Sequence, residues 1–345
     1  MLVRELNSGS CKTYVLGCET TRRAALIDPL RERVERYLAF LAEHGYRLDL
    51  VIDTHTHADH RTGTFDLRER TGARTVMHQR APAPNIDLHV DDGDRLSVGS
   101  IGLQVLATPG HSRDAISLYA GDRVFTGDSL LIHGTGRTDF PGGDPAAEYD
   151  SIQQKLFNLP DSTLVFPGHD YRGHTQSTIG EEKQTNPRLA GRTREEFVRL
   201  MNGLDLPLPE KIQEALQANQ SAIEDDSLRF PVLSQLSQVA QLTPRELYAQ
   251  LSSARPPLVI DVRQVEEYRG ELGHVPASRS IPLRELQGRV EEIAGHGARA
   301  VVCVCRAGVR SATAAALLTG LGVQPVWNLK GGMLDWNEAS LPVER

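Results

Sequence analysis

Short apolar runs alternate with polar turns through the first half of the chain. Residues 48–53 (Leu-Asp-Leu-Val-Ile-Asp) predict a buried strand that leads into a polar, histidine-rich loop. Residues 117–125 predict a hairpin that turns at Gly121, and residues 146–158 have the spacing of a helix. This mixture of strands and amphipathic stretches, from residue 14 to residue 170, indicates an α+β domain.

A polar stretch separates this pattern from a second one. Residues 219–241 are rich in Gln and Ser, which is typical of an exposed linker. Thr243, Pro244 and Glu246 then supply a helix N-cap, a proline at the first helical position and a capping-box partner. Strand and helix signals alternate from there onward, as in an open α/β sheet. We therefore predict domains at residues 1–218 and 242–345, joined by a linker of residues 219–241.

Composition agrees with two globular domains. The chain has 345 residues, of which 39% are hydrophobic and 24% charged, and no apolar run is long enough to cross a bilayer. The net charge of -7 argues against nonspecific binding of nucleic acid, which relies on clustered Lys and Arg. The charged N-terminus and the four cysteines, too few for a disulfide scaffold, predict a cytoplasmic protein with reduced thiols.

Three histidines and a carboxylate lie within one turn directly after the predicted strand 48–53. Residues 54–60 read Thr-His-Thr-His-Ala-Asp-His, and further candidate ligands follow downstream after apolar stretches. Imidazole and carboxylate donors in this combination suit zinc, iron or manganese. A single histidine is more often a surface residue than a ligand, but a set of this size predicts one metal centre. The set comprises His55, His57, Asp59, His60, His111, Asp128 and His169.

These motifs resemble those of the metallo-β-lactamase superfamily. The His-x-His-x-Asp-His loop, Pro-Gly-His-Ser at 109–112, Thr-Gly-Asp at 126–128 and Pro-Gly-His-Asp at 167–170 match its motifs in order. The resemblance covers roughly the first 200 residues. It implies a four-layer αββα sandwich with the metal at one edge, and by itself it implies either a hydrolase or an oxidoreductase.

The segment after Asp128 indicates a branch of that superfamily. Residues 130–140 contain Gly-Arg-Thr-Asp-Phe, which looks like the signature of persulfide dioxygenases. That resemblance implies one Fe(II) per chain, held by His55, His111 and Asp128, with open positions for dioxygen and substrate. The remaining four residues, His57, Asp59, His60 and His169, would then surround the ligands without binding the ion.

The same resemblance implies the reaction and its partners. Glutathione persulfide would be oxidised by dioxygen to sulfite and glutathione. Arg137 offers bidentate donors that either position the substrate or hold its own loop through Asp139. Tyr171 is a further candidate for a group near the substrate.

A dinuclear zinc site is the alternative. His57, Asp59, His60 and His169 could complete such a site, and a thioester hydrolase of the glyoxalase II type would use it. Residue identity alone leaves the choice between iron and zinc open.

A cysteine marks the second domain. Residues 301–305 (Val-Val-Cys-Val-Cys) predict a buried strand with Cys305 at its end, followed by Arg306, Gly308, Arg310 and an Ala-rich helix. Backbone N–H groups at such a junction suit an anion, and the two arginines favour the nucleophilic thiolate of Cys305. Cys305 is therefore the predicted catalytic residue, and Arg306, Gly308 and Arg310 are predicted to bind its substrate. Cys303, two residues earlier, is interpreted as a structural core residue.

This domain resembles the rhodanese family. Residues 260–263 and 273–276, the Cys-x-x-Gly-x-Arg loop and residues 330–336 carry the resemblance, with Ala-Ser at 277–278 in place of the usual Gly-Ala. The resemblance implies sulfur transfer between thiosulfate and glutathione. The loop between Cys305 and Arg310 is shorter than the loop of related phosphatases, which makes phosphatase activity the less favoured interpretation. A docking or redox-sensing module is the non-catalytic alternative, which retention of Cys305 disfavours. The sequence leaves the oligomeric state open, with a homodimer as one option.

Overall fold

The chain divides into two compact units. The computed structural model describes residues 1–345 except residues 8, 84–85, 141, 175, 205–237 and 295–299. The N-terminal unit comprises residues 1–83 and 90–224, and the C-terminal unit comprises residues 84–89 and 225–345. Most of the predicted linker, residues 219–237, lies outside the described residues.

Two six-stranded sheets and a hairpin form the first part of the fold. The first sheet contains β1 Leu2–Glu5, β2 Tyr14–Cys18, β3 Arg23–Ile27, β4 Arg47–Ile52, β5 Arg74–His78 and β6 Leu88–Val90, in that order. The second contains β7 Arg95–Val98, β8 Ile101–Ala107, β9 Ile116–Tyr119, β10 Arg123–Gly127, β13 Leu164–Pro167 and β14 Ser177–Thr178. Its order is β14-β13-β10-β9-β8-β7, and β11 Leu130–Leu131 pairs with β12 Gly134–Thr135 as the hairpin.

Helices cover the outer faces of these sheets. They are α1 Val34–Glu43, α2 Thr64–Thr71, α3 Pro145–Ser151, α4 Ile179–Thr185 and α5 Arg194–Asn202, with a 3₁₀ turn at Arg31–Arg33 and a π turn at Ile152–Leu156. Val34, Tyr37 and Leu41 of α1 share one face and pack on the first sheet. Phe197 and Met201 of α5 pack on the second.

Aromatic side chains pack between the facing surfaces of the two sheets. Tyr14 of β2 contacts Phe125 of β10 and Phe166 of β13, and the ring centroids are 5.4 Å apart in both pairs. The Tyr14 hydroxyl donates a hydrogen bond to the carbonyl of Pro167. The expected αββα arrangement is therefore confirmed.

The strand directions bring four loops to one edge. In the second sheet β10 is parallel to β13, and β8 runs in the same direction because both β8 and β10 are antiparallel to β9. The loops that follow these three strands carry His111, Asp128 and His169. The loop after β4 of the first sheet carries residues 54–60. Four separate segments can thus contribute to one site.

A parallel five-stranded sheet forms the C-terminal unit. Its strands are β15 Gln241–Leu242, β16 Leu258–Asp261, β17 Arg279–Ser280, β18 Val301–Val304 and β19 Val326–Leu329, in the order β15-β19-β18-β16-β17. The helices are α6 Pro244–Leu251, α7 Val265–Tyr268, α8 Val290–Ala294, α9 Val309–Gly320 and α10 Gly332–Glu338, with 3₁₀ turns at Leu283–Glu285 and Gln287–Arg289.

Both faces of this sheet are buried, as expected for parallel strands. Val302 and Val304 of β18 pack in the cluster that holds Trp336 of α10, whereas Cys303 and Cys305 lie in the cluster that holds Leu318 of α9. The predicted capping box of Thr243 and Glu246 is present at the start of α6. Among the described residues, no helix is long and apolar enough to span a bilayer.

Candidate metal centre and thiol loop

A hydrogen-bonded chain orients the first candidate ligand. Nδ1 of His55 lies 3.0 Å from Thr54 Oγ1, which donates its own proton to Asp28 Oδ2 at 2.8 Å. The hydroxyl therefore accepts from Nδ1–H, and the lone pair of His55 is on Nε2. Burial, and then the neighbouring His57, lower the pKa of His55 to about 3. His55 is thus a neutral imidazole, the form that binds metals.

The second histidine is held in the same tautomer. Nδ1–H of His111 donates to the carbonyl oxygen of Arg137 at 2.7 Å, which leaves Nε2 as the acceptor. Nε2 of His111 and Nε2 of His55 lie 3.7 and 3.9 Å from Asp128 Oδ2. One donor atom from each of the three residues lies within 4.8 Å of the others. Two imidazoles and a carboxylate around one point fit a single iron ion with open positions.

His169 connects this set to a second carboxylate. Its Nδ1 donates to Asp128 Oδ1 at 2.7 Å and its Nε2 donates to Asp59 Oδ2 at 2.9 Å. Burial lowers the pKa of His169, but the two carboxylates outweigh burial and raise it well above the usual value. Burial by itself raises the pKa of the Asp128 carboxyl. The neighbouring His169 and then His55 outweigh burial, and the pKa of Asp128 is lowered. Asp128 is therefore an ionised carboxylate, the form a metal ligand needs.

The other two histidines of the motif contact different carboxylates. Nε2 of His57 lies 3.3 Å from Asp28 Oδ1 and 3.7 Å from Asp53 Oδ1. Nδ1 of His60 donates to Asp59 Oδ1 at 3.1 Å. The His57 ring lies 4.3 Å from the His55 ring, and the His60 ring lies 4.2 Å from the His57 ring.

The site opens into a cavity of about 860 Å³. The residues of the prediction that line it are Asp59, His111, Asp128, Arg137, His169 and Tyr171. The guanidinium of Arg137 makes two hydrogen bonds to Asp139, at 2.7 and 2.6 Å, and lies over the ring of Phe140. The ring of Tyr171 stacks on His169, and 73% of Tyr171 is exposed.

Sequence analysis did not single out Arg188, which also lines the cavity. Its Nη1 donates to the carbonyl oxygen of Thr135 at 2.7 Å, and among the described residues no ion pair involves its guanidinium. It follows α4 in the chain, where no motif marks it. Only the fold places this cation in the cavity.

Glu148 of α3 was missed for the same reason. Its side chain is fully buried, and neither carboxyl oxygen has a hydrogen-bond partner among the described residues. Burial raises its pKa well above the usual value, although Arg188 acts in the opposite direction. Glu148 is therefore a neutral acid inside the N-terminal unit.

In the C-terminal unit the predicted loop encloses Cys305. Its Sγ accepts hydrogen bonds from the N–H of Gly308 and the hydroxyl of Ser311, both at 3.2 Å. Gly308 has φ +85, a conformation that favours glycine. The loop rests on the start of α10, because the N–H groups of Met333 and Leu334 donate to the carbonyls of Cys305 and Arg306. This contact gives a physical role to the motif at 330–336.

The two arginines of this loop differ. Both terminal nitrogens of Arg310 donate to the carboxylate of Glu267 at 2.8 Å, and Arg310 is fully buried. Arg306 is half-buried. Their binding of substrate stays a prediction. Cys303 is fully buried, and burial raises the pKa of its thiol, which agrees with a core role.

Comparisons with known proteins identify both units. The model of the metallo-β-lactamase superfamily matches residues 6–169, and that of the rhodanese-like domain matches residues 243–339. Human mitochondrial persulfide dioxygenase ETHE1 is 42% identical over 209 residues, which are 60% of this chain and 82% of the relative. The chain belongs to the persulfide dioxygenase family. With its second domain it is a persulfide dioxygenase–rhodanese fusion.

The fusion is also similar to a solved structure and to a hydrolase. The crystal structure of ETHE1 from Myxococcus xanthus is 51% identical, with a TM-score of 0.62, and the match covers 64% of the fusion and 98% of that chain. A hydroxyacylglutathione hydrolase from a Polaromonas strain is 36% identical over 180 residues, 67% of its length. Hydrolases are thus similar as well, at lower identity than the human dioxygenase.

Proposed function

We propose that the N-terminal unit oxidises glutathione persulfide with dioxygen to sulfite and glutathione, using one Fe(II) held by His55, His111 and Asp128. The carrying observation is that donor atoms of these three residues lie within 4.8 Å of one another, and that two of the residues, His111 and Asp128, line the cavity. Membership of the persulfide dioxygenase family supports the choice of substrate. The cytoplasm, where thiols stay reduced, suits this reaction.

The bound iron would supply activation of dioxygen and a binding position for the persulfide sulfur. The protein holds its ligands in place before the ion binds. Thr54 fixes the tautomer of His55, and the carbonyl of Arg137 fixes that of His111. His169 keeps Asp128 ionised and turned towards the cavity.

Cationic groups on the cavity wall would bind the carboxylates of glutathione. The hydrogen-bond partners of Arg188 are uncharged and include the carbonyls of Thr135 and Gly136 and the Thr135 hydroxyl, so its charge is available for an anion. Arg137 is paired with Asp139, which supports a role in holding the loop that carries the contact to His111. Tyr171 covers His169 at the opening and completes the proposed substrate surface.

For the C-terminal unit we propose thiosulfate:glutathione sulfur transfer. The thiolate of Cys305 would attack the outer sulfur of thiosulfate, and sulfite would leave with the electrons of the broken S–S bond. Glutathione thiolate would then take the sulfur from Cys305 as glutathione persulfide. Gly308 N–H and Ser311 Oγ–H, which already bind Sγ, would hold the anionic sulfur.

A dinuclear zinc hydrolase is the second candidate, since Asp59, His60 and His169 adjoin the site. The two hydrogen bonds of His169 weigh against it. Both ring nitrogens donate to carboxylates, so His169 has no lone pair for a second ion unless these contacts break.

Metal analysis and oxygen uptake test the proposal together. Protein loaded under iron should retain about one iron per chain and consume oxygen with glutathione persulfide. Asp128→Ala should lose both. Activity that requires two zinc ions and cleaves a thioester of glutathione, without oxygen uptake, would overturn the proposal in favour of the hydrolase.

A further inference from the structure

A cysteine that the proposed oxidation does not use lines the same cavity as the candidate metal ligands. Cys11 lies between β1 and β2 and forms an isolated bridge with His169. The cavity wall includes Cys11 together with His111 and Asp128. It is a free thiol, and it is only partly buried.

The thiol belongs to a cluster of titratable groups centred on Asp59. Sγ of Cys11 donates to Asp59 Oδ2 at 3.3 Å, and the same carboxylate accepts from His60 and His169. Donor atoms of Cys11, Asp59 and His60 lie within 4.8 Å of one another. Burial raises the pKa of Cys11, but hydrogen bonds with His169 and then His60 outweigh it and lower the pKa. The Cys11 thiol therefore lines the cavity as part of a hydrogen-bonded cluster.

Two other free cysteines lack one of these features. Cys303 is fully buried among apolar core residues. Cys18 lies 3.2 Å from Ser100 Oγ, a hydrogen bond that lowers its pKa to about 6, yet only 2% of Cys18 is exposed. Cys11 alone of the three combines an acidified thiol with access to the cavity.

We propose that Cys11 is a sulfur acceptor, which takes the outer sulfur of a persulfide bound in this cavity and carries it as a cysteine persulfide. This inference rests on the proposed function in one respect, because it takes glutathione persulfide as the sulfur donor that binds in the cavity. It adds a covalent, dioxygen-independent reaction to the N-terminal unit.

The step is a balanced thiol exchange. The Cys11 sulfur attacks the outer sulfur of the neutral persulfide. A new S–S bond forms at Cys11 while the S–S bond of glutathione persulfide breaks, and the glutathione sulfur leaves with the bonding electrons. The proton of the Cys11 thiol passes to that departing sulfur. The products are glutathione and Cys11 persulfide, with no net oxidation.

The position of Cys11 gives the reaction a consequence. Sulfur held on Cys11 stays beside Asp128, to which it is connected through Asp59 and His169. The unit can therefore release glutathione and retain the sulfur while dioxygen is absent.

Mass spectrometry of the full chain tests this directly. A Cys305→Ser background removes the other nucleophilic thiol, and the iron-loaded protein is exposed to glutathione persulfide without dioxygen, then alkylated and digested. We expect the mass of one added sulfur on the Cys11 peptide, formed at least about tenfold faster than on the Cys18 peptide. Asp59→Asn should slow the loading, and Cys11→Ser should remove it. Metal content checks that both variants still fold around the ion.

Three results separate this inference from the proposed function. Oxygen uptake from glutathione persulfide with no sulfur on Cys11 would overturn the inference and leave the oxidation intact. Sulfur on Cys11 without any oxygen uptake would support the inference and overturn the oxidation. Equal loading of Cys11 and Cys18 would mean unselective exchange and would also overturn the inference.

Discussion

Nδ1–H of His111 donates a 2.7 Å hydrogen bond to the carbonyl oxygen of Arg137. The backbone of the Gly-Arg-Thr-Asp-Phe segment therefore orients a candidate metal ligand that lies on a different loop. Partners of this kind fix the tautomer and direction of a metal-binding histidine. The segment therefore contacts the candidate metal centre through its main chain.

Gly136→Ala should weaken iron binding. A Cβ at this position would lie 2.2 Å from the carbonyl oxygen of Asp128 and 2.9 Å from Nδ1 of His111, so both ligands would be displaced. Loss of ligand orientation costs about 10- to 100-fold in metal affinity, and we expect a decrease of that size. Iron per chain and competition with a chelator measure it. Gly134→Ala is the matched control, because its nearest neighbour is Leu131 Cβ at 3.9 Å.

Arg188→Ala should raise the KM for glutathione persulfide. The variant removes a charge that lines the cavity, and a hydrogen bond to a charged group contributes about 1.5–3 kcal/mol. We expect KM to rise by about tenfold or more, with a smaller change in kcat. Steady-state oxygen uptake measures both.

Arg192→Ala is the control for Arg188→Ala. Arg192 is exposed, lies in the same segment between α4 and α5, and donates a hydrogen bond to the carbonyl of Pro187. Thiosulfate cleavage by the C-terminal unit should be unchanged in Arg188→Ala. A KM equal to that of the wild type, or an equal effect from Arg192→Ala, would contradict a role in substrate binding.

Glu148→Leu should stabilise the N-terminal unit. Burial of an unpartnered polar group costs about 1–3 kcal/mol, and leucine removes that cost. The pKa of Glu148 is raised in the folded state, so its folded form keeps a proton that the unfolded chain loses above the ordinary value of 4.5. Stability of the wild type therefore declines as pH rises from that value towards the folded pKa.

Denaturant unfolding measures this effect at two pH values. The free-energy advantage of Glu148→Leu should be larger at about pH 8 than at about pH 5. Glu148→Gln, which keeps the shape and cannot ionise, should remove the pH dependence. An advantage that is the same at both pH values would mean that folding does not raise the pKa of Glu148.

Cys305→Ser should break a sulfur supply between the two reactions. Thiosulfate and glutathione together should make glutathione persulfide at Cys305, so the wild type should consume oxygen and accumulate sulfite without added persulfide. Dioxygen makes the second reaction irreversible, and one chain keeps both sites at high effective concentration. The Ser variant should lose this uptake yet oxidise glutathione persulfide that is supplied directly. Uptake from thiosulfate at the wild-type rate in the variant would disprove the supply.

Much of both sites follows from the sequence because the residues are local to strand ends. The thiol loop is one continuous segment between β18 and α9, so its spacing alone predicts Cys305 beside Gly308 N–H. In the N-terminal unit His111, Asp128 and His169 each follow a strand of the second sheet. Strands that run in one direction end at one edge, which is why these separate motifs predict a single centre.

Only the tertiary structure decided which other groups lie near that centre, and which charged groups are already paired with another side chain. Cys11 is 48 residues from Asp59, and Arg188 is 53 residues from Thr135, so no local pattern links them. Glu267, 43 residues from Arg310, takes up both terminal nitrogens of that arginine. Such contacts depend on the order of strands and the packing of connecting segments, because side chains from distant parts of the chain meet only after the sheets have formed. The sequence by itself therefore determined the chemistry of the candidate ligands and of the candidate nucleophile, and the packing determined the cavity beside the candidate ligands.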